Sequence, residues 1–238
     1  MHTPQRSLVV SVFALFLGLV GSSLTLAKGR EHEYHPVIDP TAFRPGVDHP
    51  YLPLVPGTRF VYRETAGKRV SENETTVLSE TKVIMGVPCT VVHDVLRTGG
   101  KVAEETFDWY AQDKQGNVWY FGEDTKEYDG NGHADPEGSW QAGMNGAQPG
   151  ILMKAQISKS APYRQEYQRG HAEDMGQIVG LGESITVPAG TYADCIRTKD
   201  WSMLEPGHEY KWYAKGVGLV REESATKEVT ELVSVTHH

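Results

Sequence analysis

The chain shows no helical hydrophobic periodicity. No window of a dozen residues sustains an apolar stripe that glycine, proline or strict alternation does not interrupt. Runs such as TRFVYRETA (58–66) instead alternate apolar and polar residues with period two, which predicts half-buried strands. The 25 Gly and 13 Pro separate these runs with turn chemistry. The pattern predicts a mainly β fold, a single antiparallel sheet curled into a half-barrel or barrel.

Two hairpin turns can be predicted in detail. Gly99 and Gly100 separate CTVVHDVLRT from KVAEETFDWYAQD, and paired glycines supply the positive φ angles of a type I′ turn. Residues 114–117 separate DWYAQD from VWYFGED. Gly116 is expected at positive φ, because glycine enters that region without a Cβ penalty. We therefore expect these two aromatic runs to be neighbouring antiparallel strands.

Three segments are predicted along the chain. Residues 1–27 combine a basic start, an apolar run and a small-residue exit, which together indicate a secretory signal peptide. Residues 28–57 contain six prolines, which disfavour regular helix and predict an extended lead-in. Residues 58–238 show no break in composition and are interpreted as one β domain, in which 151–156 could form a short helix. The expectation is an exported protein, periplasmic or extracellular, without stable membrane insertion after signal cleavage.

The charge of the chain limits its partners. It has 31 acidic and 23 basic residues, a formal net charge of −8. Phosphates would repel a negative protein, so nucleic acid is not an expected partner. A small hydrophobic ligand or a protein partner is expected instead.

The two cysteines, Cys89 and Cys195, can be interpreted in two ways. An isolated pair in an exported chain predicts one disulfide, because export leads to an oxidising compartment. The alternative is two buried free thiols, which behave as small hydrophobic groups. The export signal favours the disulfide.

Four stretches of the chain carry a family resemblance. They are LPLVPGTRFVYRE (52–64), DWYAQDKQGNVWYFGEDTKEY (108–128), ITVPAGTYADCIRT (185–198) and YAKGVGLVREE (213–223). Together they resemble a family of exported, largely uncharacterised bacterial β-rich proteins. That family is similar in architecture to the half-barrel carriers that move lipids or lipoproteins through the periplasm. The resemblance implies a β fold and export, and it carries no catalytic residue onto this chain.

Several aromatic residues are candidates for a ligand-lining face. Aromatic residues on both faces of one strand indicate that both faces are covered or that one lines a cavity. Cross-strand aromatic pairs also stabilise a sheet by packing alone, which is the competing interpretation. The candidates are Trp109, Trp119, Phe121 and Trp212.

Two groups of carboxylates are candidates for a cation site. Ca²⁺ takes six to eight oxygen ligands, so acidic runs are places to look for it. A multi-carboxylate site becomes possible if the curled sheet brings the two groups together. The competing interpretation is a solvated acidic surface. The candidate ligands are Glu123, Asp124, Glu166, Glu173 and Asp174.

The sequence lacks the catalytic motifs that would indicate an enzyme. The chain has no G-x-S-x-G, no glycine-rich phosphate loop and no H-E-x-x-H. The leading hypothesis is an exported, soluble, non-catalytic protein that binds a small hydrophobic ligand or a partner on a curved sheet, with no cofactor beyond a possible Ca²⁺. Two alternatives stay open: a carboxylate-based cation-binding protein or cation-dependent enzyme, and a structural envelope component.

Overall fold

The computed structural model describes residues 34–237, so the predicted signal peptide lies outside the described residues. The prediction of a mainly β fold is confirmed. The strands are β1 (Phe43–Arg44), β2 (Val47–His49), β3 (Leu52–Leu54), β4 (Thr58–Ala66), β5 (Arg69–Ile84), β6 (Val87–Thr98), β7 (Lys101–Asp113), β8 (Val118–Tyr128), β9 (Ala134–Asp135), β10 (Trp140–Gln141), β11 (Gln148–Met153), β12 (Tyr163–Arg164), β13 (Glu166–Tyr167), β14 (Asp174–Val187), β15 (Gly190–Ser202), β16 (Glu209–Ala214), β17 (Gly218–Ser224) and β18 (Val229–His237).

One antiparallel sheet contains every strand except β2 and β3. Its order is β12-β14-β15-β16-β17-β18-β4-β5-β6-β7-β8-β11-β13, with β1 on β7 and both β9 and β10 on β8. Only Gln165 separates β12 from β13, so one short segment pairs with both ends of the sheet. The sheet is therefore nearly closed into a barrel, with one unsealed seam.

Glycines let the segment at the seam approach both edges. Gln165 donates its backbone N–H to the carbonyl of Asp174, at 2.9 Å. A Cβ at Gly150 would lie 2.3 Å from the carbonyl carbon of Gln165, and one at Gly176 would lie 2.6 Å from its Nε2. At Gly150 a side chain would collide with the backbone of Gln165, so the closure depends on this glycine, whereas at Gly176 the side chain of Gln165 would have to move.

Alternation places one face of each long strand inside the barrel. Along β4, Phe60, Tyr62 and Glu64 are buried, whereas Arg59 and Arg63 are exposed. This is the period-two pattern that the sequence predicted, but a carboxylate occupies one inward position. The interior is therefore apolar only in part.

The two predicted hairpin turns are confirmed. Gly99 and Gly100 have φ angles of 58° and 78°, as a type I′ turn requires. β7 and β8 are antiparallel neighbours, with Tyr110 opposite Tyr120. Gly116 joins them with φ of 101°.

Helix is nearly absent from residues 34–237. The one helical segment there is a 3-10 turn, Pro40–Ala42, and none in this part of the chain is long and apolar enough to cross a membrane. The short helix considered for 151–156 is wrong, because 151–153 belong to β11, whose Ile151 lies opposite Trp119 of β8, and 154–156 form a bend. The edge of β8 offers this segment ladder hydrogen bonds that six residues of isolated helix could not match.

The proline-rich lead-in forms a hairpin across one end of the barrel. We call β2, β3 and their turn, residues 47–54, the lid hairpin. On one side, the backbone N–H of Asp48 donates to Oε1 of Gln112 in β7, at 2.8 Å. On the other side, the N–H of Gly216 donates to the carbonyl of Pro50, at 2.7 Å. The lid hairpin is thus tied to strands far apart in the sheet.

Candidate functional site

An apolar pocket lies between the lid hairpin and the sheet. Its volume is about 340 Å³, counted with the space open to solvent. The enclosed cavity itself is about 20 Å³, room for about one water molecule, so a larger ligand requires the lid hairpin to move. The lining residues are Leu52, Pro53 and Leu54 of the lid hairpin and Phe60, Tyr62, Thr75, Val92, Val217, Gly218 and Leu219 of the barrel.

The polar groups of the pocket wall already have partners. The hydroxyl of Tyr62 donates to the carbonyl of Leu219, at 3.1 Å. The hydroxyl of Thr75 donates to Oδ1 of Asp94, which lies directly opposite it on β6. The wall therefore presents mainly carbon atoms to a ligand.

His49 holds the lid hairpin in place through both ring nitrogens. Its Nε2 lies 3.1 Å from the carbonyl of Lys154, and its Nδ1 accepts the backbone N–H of Tyr51 at 3.2 Å. Only a neutral ring protonated at Nε2 satisfies both contacts. Burial lowers the pKa of His49, which favours that neutral form.

Beyond the pocket, the inner face of the barrel becomes acidic. Asp94 and Asp108 are 3% and 1% exposed, and Oδ1 of Asp108 accepts the hydroxyl of Tyr120 at 2.7 Å. Burial raises the pKa of both carboxyls, and the charge of Asp94 raises that of Asp108 further. The pair therefore holds a proton more readily than free carboxylates do.

The structure places three of the five carboxylates considered for a cation on the inner face of the barrel. Burial, followed by the charges of Asp108 and Glu166, raises the pKa of Glu123 well above its usual range. Burial and the charge of Asp174 do the same for Glu166, and burial raises the pKa of Asp174 itself to about 6. Glu123, Glu166 and Asp174 therefore share one interior.

The other two carboxylates are placed elsewhere. Asp124 is exposed on the opposite face of β8 from the interior. Glu173 forms an ion pair with Arg164 at 3.6 Å and accepts the backbone N–H of Gly170. Within residues 34–237, no group of three or more His, Cys, Asp or Glu side chains has the arrangement to hold a metal ion. The interior carboxylates are spread along the barrel and do not converge on one point.

One lysine offsets part of this interior charge. Nζ of Lys211 lies 3.4 to 3.7 Å from carboxylate oxygens of Asp200, Glu209 and Glu222. All four side chains are buried. Burial is the largest single effect on the pKa of Lys211 and lowers it, but the charges of the three acids together raise it well above its usual range, so the lysine remains cationic.

Sequence reasoning missed Asp94, Asp108 and Lys211. Each lies on a strand whose alternation could have identified it. Asp94 follows Val92 at the spacing of two that places side chains on one face. A charged residue in phase with the apolar face is the signal that could have found the acidic interior.

The four candidate lining aromatics pack against other side chains outside the pocket. Nζ of Lys82 lies 3.2 Å from the ring centre of Trp109. Phe43 of the lead-in contacts both Trp119 and Phe121, with ring centres 6.1 and 5.6 Å apart. The remaining member, Trp212, donates its indole N–H to Glu183 at 2.7 Å. None of the four is among the residues that line the pocket.

The predicted disulfide between Cys89 and Cys195 is not confirmed, because both thiols are free and buried. Five strands separate β6 from β15 in the sheet order, so the two cysteines do not lie on neighbouring strands. Each thiol instead approaches a nearby carbonyl, Val87 at 3.5 Å and Tyr192 at 3.6 Å. Burial raises the pKa of Cys89 to about 12, which makes its thiol unreactive.

Comparison with known proteins supports the family resemblance over part of the chain. Residues 166–237, less than a third of the chain, match the family described as DUF3108-like. Two of the four stretches that carry the resemblance fall in these residues, and for them the resemblance is confirmed. The comparison with curated proteins gives no match.

Two solved structures are similar to the chain at low identity. One is a Bacteroides fragilis protein described as an inferred exported protein with a YmcC-like fold, with 14% identity and a TM-score of 0.46. The other is an inferred lipoprotein from Parabacteroides distasonis, with 17% identity and a TM-score of 0.43. Both alignments cover 78% of this chain and 98% of the other.

Proposed function

We propose that the chain is an exported, non-catalytic binding protein that holds a small apolar ligand between the lid hairpin and the sheet. The observation that carries the proposal is the pocket itself, whose lining is dominated by Leu52, Leu54, Phe60, Val92 and Leu219. An apolar ligand gains free energy there in proportion to the area it removes from water.

The arrangement of the pocket also supports ligand selection. The hydroxyls of Tyr62 and Thr75 already donate to acceptors of the protein, so an apolar ligand leaves neither without a partner. One wall belongs to the barrel and the other to the lid hairpin, which packs Val47, Leu52 and Leu54 into the core but pairs with no strand of the large sheet. A ligand can therefore enter when the lid hairpin moves, without opening the sheet.

Export is part of the proposal and is supported by the signal-like residues 1–27. A ligand carrier outside the cytoplasm would operate in the periplasm or in the extracellular space. A protein partner that delivers or receives the ligand is compatible with this role.

Titration of the purified chain with n-hexanol, followed by calorimetry, tests the proposal. We expect saturable binding, and a rise in melting temperature that follows RT ln(1 + [L]/Kd). In the variant Val217→Trp, a large ring at a half-buried position of the pocket wall should remove the binding. Leu181→Trp is the control, because Leu181 is 44% exposed and outside the pocket.

Two results would overturn the proposal. One is no saturable binding of n-hexanol to the unmodified chain. The other is equal binding by both tryptophan variants, because a ligand held in this pocket must compete with a ring that fills it.

A further inference from the structure

A carboxyl pair adjoins the apolar pocket on the inner face of the sheet. Val92 and Thr75 both line the pocket. Asp94 follows Val92 at a spacing of two on β6 and lies directly opposite Thr75 on β5. Side chains at this spacing share a face of the strand, so the carboxyl of Asp94 borders the pocket on the side away from the lid hairpin.

Each carboxyl of the pair has an oxygen whose one available donor is the other carboxyl. Oδ1 of Asp94 accepts from Nδ2 of Asn73, at 3.1 Å, and from the hydroxyl of Thr75. Oδ1 of Asp108 accepts from Tyr120. In the described part of the chain, Oδ2 of each is buried with no hydrogen-bond donor except the proton that the two acids share. An ammonium group in place of that single proton would bring three donors to the two oxygens.

The surrounding charges favour a cation. Glu104 on β7 adds negative charge near Asp108 and raises the pKa of that carboxyl. His93, next to Asp94 in sequence, points to the opposite face of β6, where its Nε2 lies 3.0 Å from Glu105. Of the interior cations, Lys211 is already shared among three carboxylates, as described above.

We propose that the ligand of the pocket is a primary amine on a short apolar body, and that the Asp94–Asp108 pair receives its ammonium group. This inference rests on the proposed function, because the apolar body occupies the same pocket. It adds the chemical class of the ligand, which the pocket lining alone does not specify.

The ammonium group replaces the proton of the carboxyl pair, and this exchange balances in charge and in protons. The pair holds a proton when no cation is present, because burial and mutual repulsion oppose a second negative charge. An ammonium group that enters donates hydrogen bonds to the two Oδ2 atoms, and the pair releases its proton to solvent. One positive charge replaces another, so the interior gains no net charge.

An ammonium group fits this arrangement better than a metal ion does. Ca²⁺ requires six to eight oxygens at a single centre. In residues 34–237 the carboxylates do not converge in that way. An ammonium group needs only two or three acceptors, and its apolar body suits the adjoining wall.

Calorimetry of the purified chain with n-hexylamine, n-hexanol and hexanoate tests the inference. At pH 7.5 we expect the amine to bind at least tenfold more tightly than the alcohol, and hexanoate not to bind. Titration in two buffers of different ionisation enthalpy should show about one proton released per amine bound. Amine affinity should also rise between pH 6 and pH 8.

Asp94→Asn keeps the shape of the side chain and removes its charge. The variant should bind the amine no more tightly than the alcohol and should bind the alcohol as the unmodified chain does. Asp124→Asn is the matched control, because Asp124 is exposed on the other face of the sheet. If Asp94→Asn does not fold, the proton release and pH dependence of the unmodified chain decide the question.

The outcomes separate the two proposals. Equal affinity for amine and alcohol, or no proton release, overturns the amine inference and leaves apolar binding intact. Failure of every probe to bind the unmodified chain overturns the proposed function. A loss of amine and alcohol binding to the same extent in Asp94→Asn assigns this residue a structural role and overturns its role as the ammonium acceptor.

Discussion

Replacement of Gly150 by alanine should open the seam of the barrel. The added Cβ would lie 2.3 Å from the carbonyl carbon of Gln165 and 2.4 Å from its oxygen. Both atoms belong to the backbone, so no rotation of a side chain can relieve the collision. The segment that joins the two ends of the sheet must move away from β11.

The expected cost follows from the hydrogen bonds that this movement breaks. β11 and β13 are paired at two positions, Gln148 with Tyr167 and Pro149 with Glu166. Loss of about two hydrogen bonds costs about 2 kcal/mol, and overpacking of a close contact typically costs about 1 to 3 kcal/mol. We expect the free energy of unfolding to fall by about 3 kcal/mol, which for a chain of this size lowers Tm by about 6 to 12 °C.

Urea denaturation of Gly150→Ala against Gly130→Ala measures this effect. A Cβ at Gly130 meets nothing within 4 Å, so the control should change stability by less than about 0.5 kcal/mol. Hydrogen exchange should show faster exchange of the amides in 163–167 in the Gly150 variant alone. Equal denaturation midpoints for the two variants, with unchanged exchange at the seam, would refute the role assigned to Gly150.

Four further predictions concern ionisation, thiols and the turns. The free energy of unfolding should fall as pH rises through 6 and above. Carboxyls whose pKa is raised in the folded protein, such as Asp174 at about 6, stabilise the fold at pH values below their unfolded pKa and lose that contribution as they ionise. Urea midpoints that rise with pH over this range would contradict the prediction. The lowered pKa of His49 acts in the opposite direction, so the lid hairpin should exchange its amides faster as pH falls below 6.5, after correction for intrinsic rates. Titration of unreduced, unfolded protein should find two free thiols, Cys89 and Cys195, and finding none would restore the disulfide. Gly116→Val should destabilise the fold by about 1 to 2 kcal/mol in urea denaturation, because a β-branched residue is forced to positive φ.

The parts of the fold that depend on neighbouring residues could be predicted from the sequence. Paired glycines at Gly99 and Gly100 specify a turn wherever they lie between two strands, and Gly116 does the same for the next hairpin. These signals act over a few residues. They give the class of the fold and the pairing of consecutive strands.

The meeting of Glu123 with Glu166 could not be predicted in the same way. It depends on the closure of the sheet by Gln165, a contact between segments that lie far apart in sequence. The carboxylates also depart from the usual alternation, in which polar side chains of a strand face solvent. Asp94 and Glu64 are polar but point into the barrel. Composition therefore indicated a solvated acidic surface where the structure has a buried one.

The surroundings of the aromatic residues could not be predicted for a related reason. Alternation separates Trp109 from Tyr110 onto opposite faces of β7, but it does not say which face is inside. The lead-in then covers part of the outer face through Phe43, which makes Trp119 and Phe121 resemble residues that line a cavity.

The irregularity of β14 affects how the folded protein avoids self-association. One edge of β14 pairs with β15. Its other edge pairs with β12, and only at Met175 and Gly176. The register of β14 with β15 shifts three times between Ile178 and Ile185, along the stretch that β12 leaves uncovered. Bulges bend an edge strand so that a second chain cannot extend the ladder along it. The part of the rim most open to strand addition is therefore a poor template for aggregation.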